Sequence, residues 1–220
     1  MAHSKLLHRS FPFIMMGIPW VYLAVIWKDL PQTIPTHFGI SGYPDAWGPR
    51  DEILLAPAIF SVMGILLYFV LTNIHTIDPK KKYTAATSAV LSRIAMVLMI
   101  FLCAISLFIT YWSLKGKVEG LAFFFCALSL FMAYIGNLMY SIKPNYFVGF
   151  RLPWTLENEE NWRKTHQLAS KIWFMGGLIL AVMSLILGIK ATIFFFISSM
   201  FIMILIPTLY SYNLYRQSSK

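Results

Sequence analysis

"IAMVLMIFLCAISLFITYWSL", residues 94–114, runs for 21 positions without a charged side chain. An α-helix rises 1.5 Å per residue, so this run is about 31 Å long, which matches the hydrocarbon thickness of a bilayer. It lacks the period-2 alternation of a barrel strand. A helix also satisfies its backbone polar groups internally, as a segment surrounded by lipid must.

The same test applied outward finds further runs at 11–28, 53–73, 120–142, 172–189 and 191–212. The fifth run is, with the first, the shortest, and it extends backwards into a polar stretch. Composition agrees: 58% of the 220 residues are hydrophobic and 12% charged, with a mean hydropathy of +0.67. Soluble domains carry about 25% charged residues. The expected fold is all-α, a membrane-embedded bundle of six transmembrane helices. Pro12 and Pro19 fall in the first span and Pro207 in the last. Each frees a carbonyl that a neighbouring helix must satisfy. The first span has a basic start, His3 to Arg9, but it is long, holds two prolines and ends in VIWKDLP. It reads as a retained helix rather than a cleaved signal.

Lysine and arginine set the expected orientation. With the N-terminus inside, the inner segments carry 13 basic residues and the outer ones five. The inner set includes Lys5, Arg9, Lys80, Lys81, Lys82, Arg93, Lys143 and Lys220. This positive-inside bias puts both termini in the cytoplasm. It also accounts for most of the net charge of +9 and removes the case for nucleic-acid binding. Cys103 and Cys126 lie inside spans without metal-type spacing and read as small buried residues. Residues 1–90 form a two-span region and 91–220 a four-span region.

Two connections are too long to be simple turns. The outer one, "DLPQTIPTHFGISGYPDAWGPRDE" at 29–52, holds prolines at 31, 35, 44 and 49 and glycines at 39, 42 and 48. Prolines block helix and restrict their predecessors to extended or turn geometry. Gly42 to Asp45 reads as a turn. Phe38, Tyr43 and Trp47 suggest a rigid cap that packs on the helices or sits at the lipid interface. His37 is either a binding or proton-responsive group or a histidine bonded within the cap. A metal site from His37, Asp45 and Asp51 has no diagnostic spacing, so no metal and no cofactor is expected.

The inner connection, within 143–171, contains "NYFVGFRLPWTLENEENWRKTHQLASK" at 145–171. Gly149 and Pro153 break it. Thr155 reads as an N-cap, with Glu157, Glu159 and Glu160 suiting the start of a helix. Glu159 and Arg163, and Glu160 and Lys164, form i,i+4 pairs. Trp162, His166, Ala169 and Trp173 share one face, with Trp162 expected at interfacial depth. This amphipathic cytoplasmic helix should run straight into the fifth span. Arg151, Trp154, Asn161 and His166 cluster around the break, and Arg151 could meet lipid phosphate, a helix C-terminus or a partner.

"GFRLPWTLENEENWRKTH" resembles the signature of the SdpI immunity-protein family at Gly149, Arg151, Pro153, Trp154, Thr155, Trp162 and His166. "LPQTIPTHFGISGYPDAWGPR" resembles the uncharacterised domain that often precedes that signature. The matching positions are Leu30, Pro31, Ile34, Pro35, His37, Phe38, Gly42, Pro44 and Asp45. Leu152 and Ser170 depart from the pattern. The resemblance implies a non-enzymatic, multi-pass protein of the bacterial plasma membrane that gives immunity to a secreted, membrane-active toxin peptide. It also implies possible signalling by holding a cytoplasmic transcriptional repressor. In that reading His37, Phe38, Asp45 and Trp47 face the toxin. Gly149, Arg151, Pro153, Trp154, Thr155, Asn161, Trp162 and His166 stabilise the fold or bind the partner.

Three alternatives remain. A transporter or exporter would place ionisable groups within spans, and none lies near a span centre; Asn73 and Asn137 are the most polar. An enzyme would need a motif such as HExxH or GxSxG, and neither occurs. A sensor would bind the repressor without blocking toxin.

Overall fold

The computed structural model describes residues 2–77 and 85–218. Lys80, Lys81, Lys82 and Lys220 of the charge count lie outside the described residues. Element order is α1 (Ala2–Ile26), β1 (Thr33–Phe38), β2 (Pro44–Pro49), a 3-10 turn (Arg50–Leu54), α2 (Leu55–Thr72), α3 (Ile74–Ile77), α4 (Ala85–Lys115), α5 (Leu121–Met139), α6 (Pro153–Glu157), α7 (Glu159–Ile186) and α8 (Ile189–Ser218).

Among the described residues, five helical segments are long and apolar enough to cross a membrane: Arg50–Thr72, Thr87–Lys115, Leu121–Met139, Glu159–Ile186 and Ile189–Ser218. The first expected span is a shorter apolar helix over Ser10–Ile26. Large apolar side chains face outward, among them Val25 at 73% exposed, Val62 at 70%, Phe123 at 73% and Ile186 at 75%. The buried positions of the same helices include Ser106, Thr110, Ser129 and Ser184. Polar and small groups inside with hydrocarbon outside is the pattern of helices solvated by lipid.

The all-α expectation needs one correction. The outer connection folds into an antiparallel hairpin, with Ile34 opposite Gly48 and Pro35 opposite Trp47. Pairing is irregular between Pro35 and Phe38, which accommodates proline in a two-stranded edge.

The chain divides into two compact units, residues 1–70 with 95–121, and 71–94 with 122–220. In the first, Leu23, Ile26 and Leu30 pack with Ile34 of β1 and Ile53 of the 3-10 turn. Pro19 cannot donate to the carbonyl of Met15 four residues earlier. The Cys103 thiol donates to that carbonyl instead, at 3.3 Å. Cys103 is buried as expected, yet it also serves as a weak donor.

The second unit repeats the device. Pro207 releases the Met203 carbonyl of α8, and the Trp173 indole N–H of α7 donates to it at 3.1 Å. Where α5 meets α7, a Cβ on Gly136 would lie 2.6 Å from the Trp173 Cβ, and one on Gly177 would lie 2.7 Å from the Ala133 backbone nitrogen. Small residues at these crossings let the backbones approach closely.

Candidate functional site

The motif segment is organised by side chains that bond back to the main chain. Asn145, fully buried, accepts from the N–H groups of Phe147 (2.9 Å) and Val148 (2.7 Å). Its amide donates to the carbonyls of Lys143 (2.8 Å) and Val148 (3.1 Å). All four bonding positions of one amide are used to fold one turn. Arg151, exposed, closes the loop by donating to the Tyr146 carbonyl at 2.7 Å.

Gly149 follows at φ 107°, in the region that disfavours any residue with a Cβ. A Cβ there would collide with Nε2 of His166. His166 itself is 1% exposed. Its Nε2 accepts from the Phe150 N–H at 3.0 Å. Its Nδ1 faces the Trp162 carbonyl at 2.8 Å. An amide N–H can only donate and a carbonyl can only accept, so the ring is neutral and carries its hydrogen on Nδ1. It stacks on the Trp162 indole, with centroids 4.0 Å and planes 19° apart. His166 is thus used up inside the fold.

Trp162 is 1% exposed and donates to the Ile142 carbonyl at 2.8 Å. The indole faces the protein interior, drawn inward by a partner 20 residues upstream. The N-cap expectation is corrected. Pro153 opens α6 and Thr155 lies within it, where its hydroxyl accepts from the Leu152 N–H (3.0 Å) and donates to the Phe150 carbonyl (2.6 Å). Asn158 caps α7 by accepting from the N–H groups of Glu160 and Asn161. The acidic residue Glu160 then meets Lys164 at 2.9 Å, and α7 continues unbroken to Ile186.

Ser211 of α8 is a hub that the sequence did not signal. Its hydroxyl accepts from the Trp154 indole N–H at 3.0 Å, and its carbonyl accepts from the Asn161 amide at 2.9 Å. The Asn161 carbonyl oxygen accepts from the Thr165 hydroxyl at 3.0 Å. Trp154 also stacks on Tyr215 and meets the Tyr212 ring edge-on. Beside Trp162 opens a cavity of about 720 Å³, lined by residues that include Lys143, Glu159, Arg163 and Gln167.

The second candidate surface is the hairpin. His37 Nδ1 lies 2.5 Å from Asp45 Oδ1, with both side chains more than half exposed. Asp45 sits in β2 rather than in the turn, and it orients the imidazole from the opposite strand. Asp51 faces Arg50 at 3.9 Å. No group of three metal-ligating side chains occurs among the described residues. Trp47 is 57% exposed and Phe38 is half-buried. Beyond the strands, Lys117 pairs with Glu119 at 3.2 Å and sits 5.0 Å above the Tyr43 ring. The hydrogen bond to Glu119 first, and then the Tyr43 phenol, raise the ammonium's pKa.

Five long apolar helices, a shorter sixth and two compact polar elements define a multi-pass membrane protein. Residues 141–211 match the SdpI/YfhL protein family, and residues 14–60 match a domain of unknown function, DUF1648. The chain thus carries an SdpI/YfhL region toward its C-terminal end and a DUF1648 region toward its N-terminal end. It is 26% identical over 204 residues to the immunity protein SdpI of Bacillus subtilis (strain 168), covering 93% of this chain and 94% of that protein. It is 39% identical over 57 residues to an uncharacterised protein of Archaeoglobus fulgidus. That match spans 26% of this chain and 31% of the archaeal one. No solved structure matches the chain.

Proposed function

We propose that this protein is a non-enzymatic immunity protein of the bacterial plasma membrane, protecting against a secreted, membrane-active peptide. The observation that carries the reading is the alignment with an immunity protein over 93% of this chain and 94% of the relative. Both polar elements fall within family regions, the hairpin in 14–60 and the motif in 141–211.

The hairpin is the toxin-facing element in this reading, placed outside by the distribution of basic residues. His37 and Asp45 present a fixed polar pair, and Trp47 and Phe38 supply apolar area. Aromatic side chains beside oriented polar groups are suited to peptide recognition. The inner motif serves mainly the fold. Thr155, Asn161, Trp162 and His166 are buried and bonded internally, so a cytoplasmic repressor would meet only what is left outside. That includes Tyr146, Arg151, Pro153 and the acidic residues Glu157 and Glu159, all exposed, and the cavity beside Trp162.

The test is survival of a peptide-sensitive bacterium that expresses the chain, with membrane insertion checked by a C-terminal tag. Survival at peptide doses that kill the control strain supports the reading. Death at the same dose, with normal insertion, speaks against it. A sensor without protection is the second reading. It predicts instead that a DNA-binding protein is retained on the membrane and is released by Arg151→Ala.

A further inference from the structure

The hairpin tip has a composition that is poorly suited to water. Residues 30–44 contain no Lys, Arg, Asp or Glu. Ile40 is 61% exposed and Tyr43 57%, as is Trp47 on the adjoining strand. Exposed apolar groups on a strand tip invite association, so what covers them depends on where the tip lies.

The geometry fixes its level. The Val118 N–H donates to the Gly42 carbonyl at 2.8 Å. Gly42 has φ 79°, and a Cβ there would collide with the Val118 carbonyl oxygen. Val118 lies three residues beyond the end of α4 at Lys115. Three residues span at most about 10 Å, and each headgroup layer is about 5–8 Å deep. The tip is therefore tied back to within about 10 Å of the end of α4.

Other residues of the same unit mark that level as an interface. The Arg50 guanidinium sits 5.1 Å from the Trp27 ring centre, and the Lys115 ammonium 5.7 Å from that of Tyr111. Lys117 over Tyr43 is a third such pair. Aromatic rings with adjacent long cations are the usual composition of the membrane–water boundary.

We infer that Ile40, Tyr43 and Trp47 rest in the phospholipid headgroup layer, making the hairpin tip a lipid-contact surface continuous with the outward faces of the helices. The partner is the bilayer interface itself, with Lys117 and Arg50 placed to meet lipid phosphates. This holds whether or not the protein confers immunity. If it does, the peptide is met within the interface and not in bulk water.

The test uses full-length protein in phospholipid nanodiscs with an environment-sensitive fluorophore on single added cysteines. Ile40→Cys and Tyr43→Cys are compared with Gln217→Cys at the exposed end of α8. The background is Cys126→Ala; buried Cys103 is kept, and unmodified protein reports any labelling there. Shallow nitroxide lipids should quench the labels at 40 and 43 at least about threefold more than the label at 217, with iodide showing the reverse order. Labels at 40 and 43 that respond to iodide like the one at 217, and not to nitroxide lipid, would overturn the inference. Gly42→Ala, in protein that inserts normally, should abolish the difference by releasing Val118. Its persistence would contradict the backbone tether that sets the tip's level.

Discussion

Alanine at Gly149 probes the buried motif at its tightest point. The backbone there has φ 107°, and holding a residue with a side chain in such a region costs about 1–3 kcal/mol. The added Cβ also lands on His166 Nε2, so the imidazole must turn away from the Phe150 N–H. A buried donor left without its partner costs a further 1–3 kcal/mol or so. The sum is about 2–6 kcal/mol, a large part of the roughly 5–15 kcal/mol that holds a typical domain together. Gly116 supplies the control: its φ is 72°, and no atom lies within 4 Å of a Cβ built on it. Gly116→Ala therefore reports a positive-φ backbone cost with no collision. Unfolding free energies in micelles should show Gly149→Ala less stable than Gly116→Ala by at least about 1 kcal/mol. In a His166→Ala background the collision is gone, and Gly149→Ala should cost at least about 1 kcal/mol less than it does in the parent. Equal losses at Gly149 in both backgrounds would refute the argument that His166 is the group being displaced.

Three further outcomes follow from the same structure. Trp173→Phe should lose about 0.6–1.7 kcal/mol, the range of interhelical hydrogen bonds in membranes. The loss should shrink toward zero with Pro207→Ala, because the alanine N–H gained by that substitution could donate to the Met203 carbonyl within its own helix; a double-mutant cycle reads the coupling. Asn158→Ala should cost about 1 kcal/mol through the lost N-cap. Thr155→Ser, which keeps the hydroxyl, should cost less than Thr155→Ala in the same unfolding assay.

Local signals in the sequence are enough for the helices but not for their polar partners. Residues 94–114 declare a span by length and lack of charge. The cap of α7 lies at Asn158 and not at Thr155, although Asn158 before Glu159 and Glu160 is itself a capping signal. The need to satisfy carbonyls freed by proline is legible at Pro19 and Pro207, but not that Cys103 and Trp173 do it. Both donors come from other helices, and nothing in local spacing reports that. The hairpin is hidden because Pro35, Pro44 and Pro49 argue against strands. Only pairing across the turn at Gly39 to Tyr43 makes their positions acceptable. The burial of Trp162 and of Asn161 is hidden for the same kind of reason. Their partners, Ile142 and Ser211, lie 20 and 50 residues away.

The division of labour between hairpin and motif is tested most directly by peptide survival curves of cells carrying the parent, His37→Ala/Trp47→Ala or Arg151→Ala at matched membrane levels. The account predicts that the hairpin double variant loses protection, while Arg151→Ala still protects because its guanidinium donates to the Tyr146 carbonyl at the surface. Full protection by the hairpin variant, or its loss with Arg151→Ala alone, would contradict the assignment of peptide recognition to the hairpin.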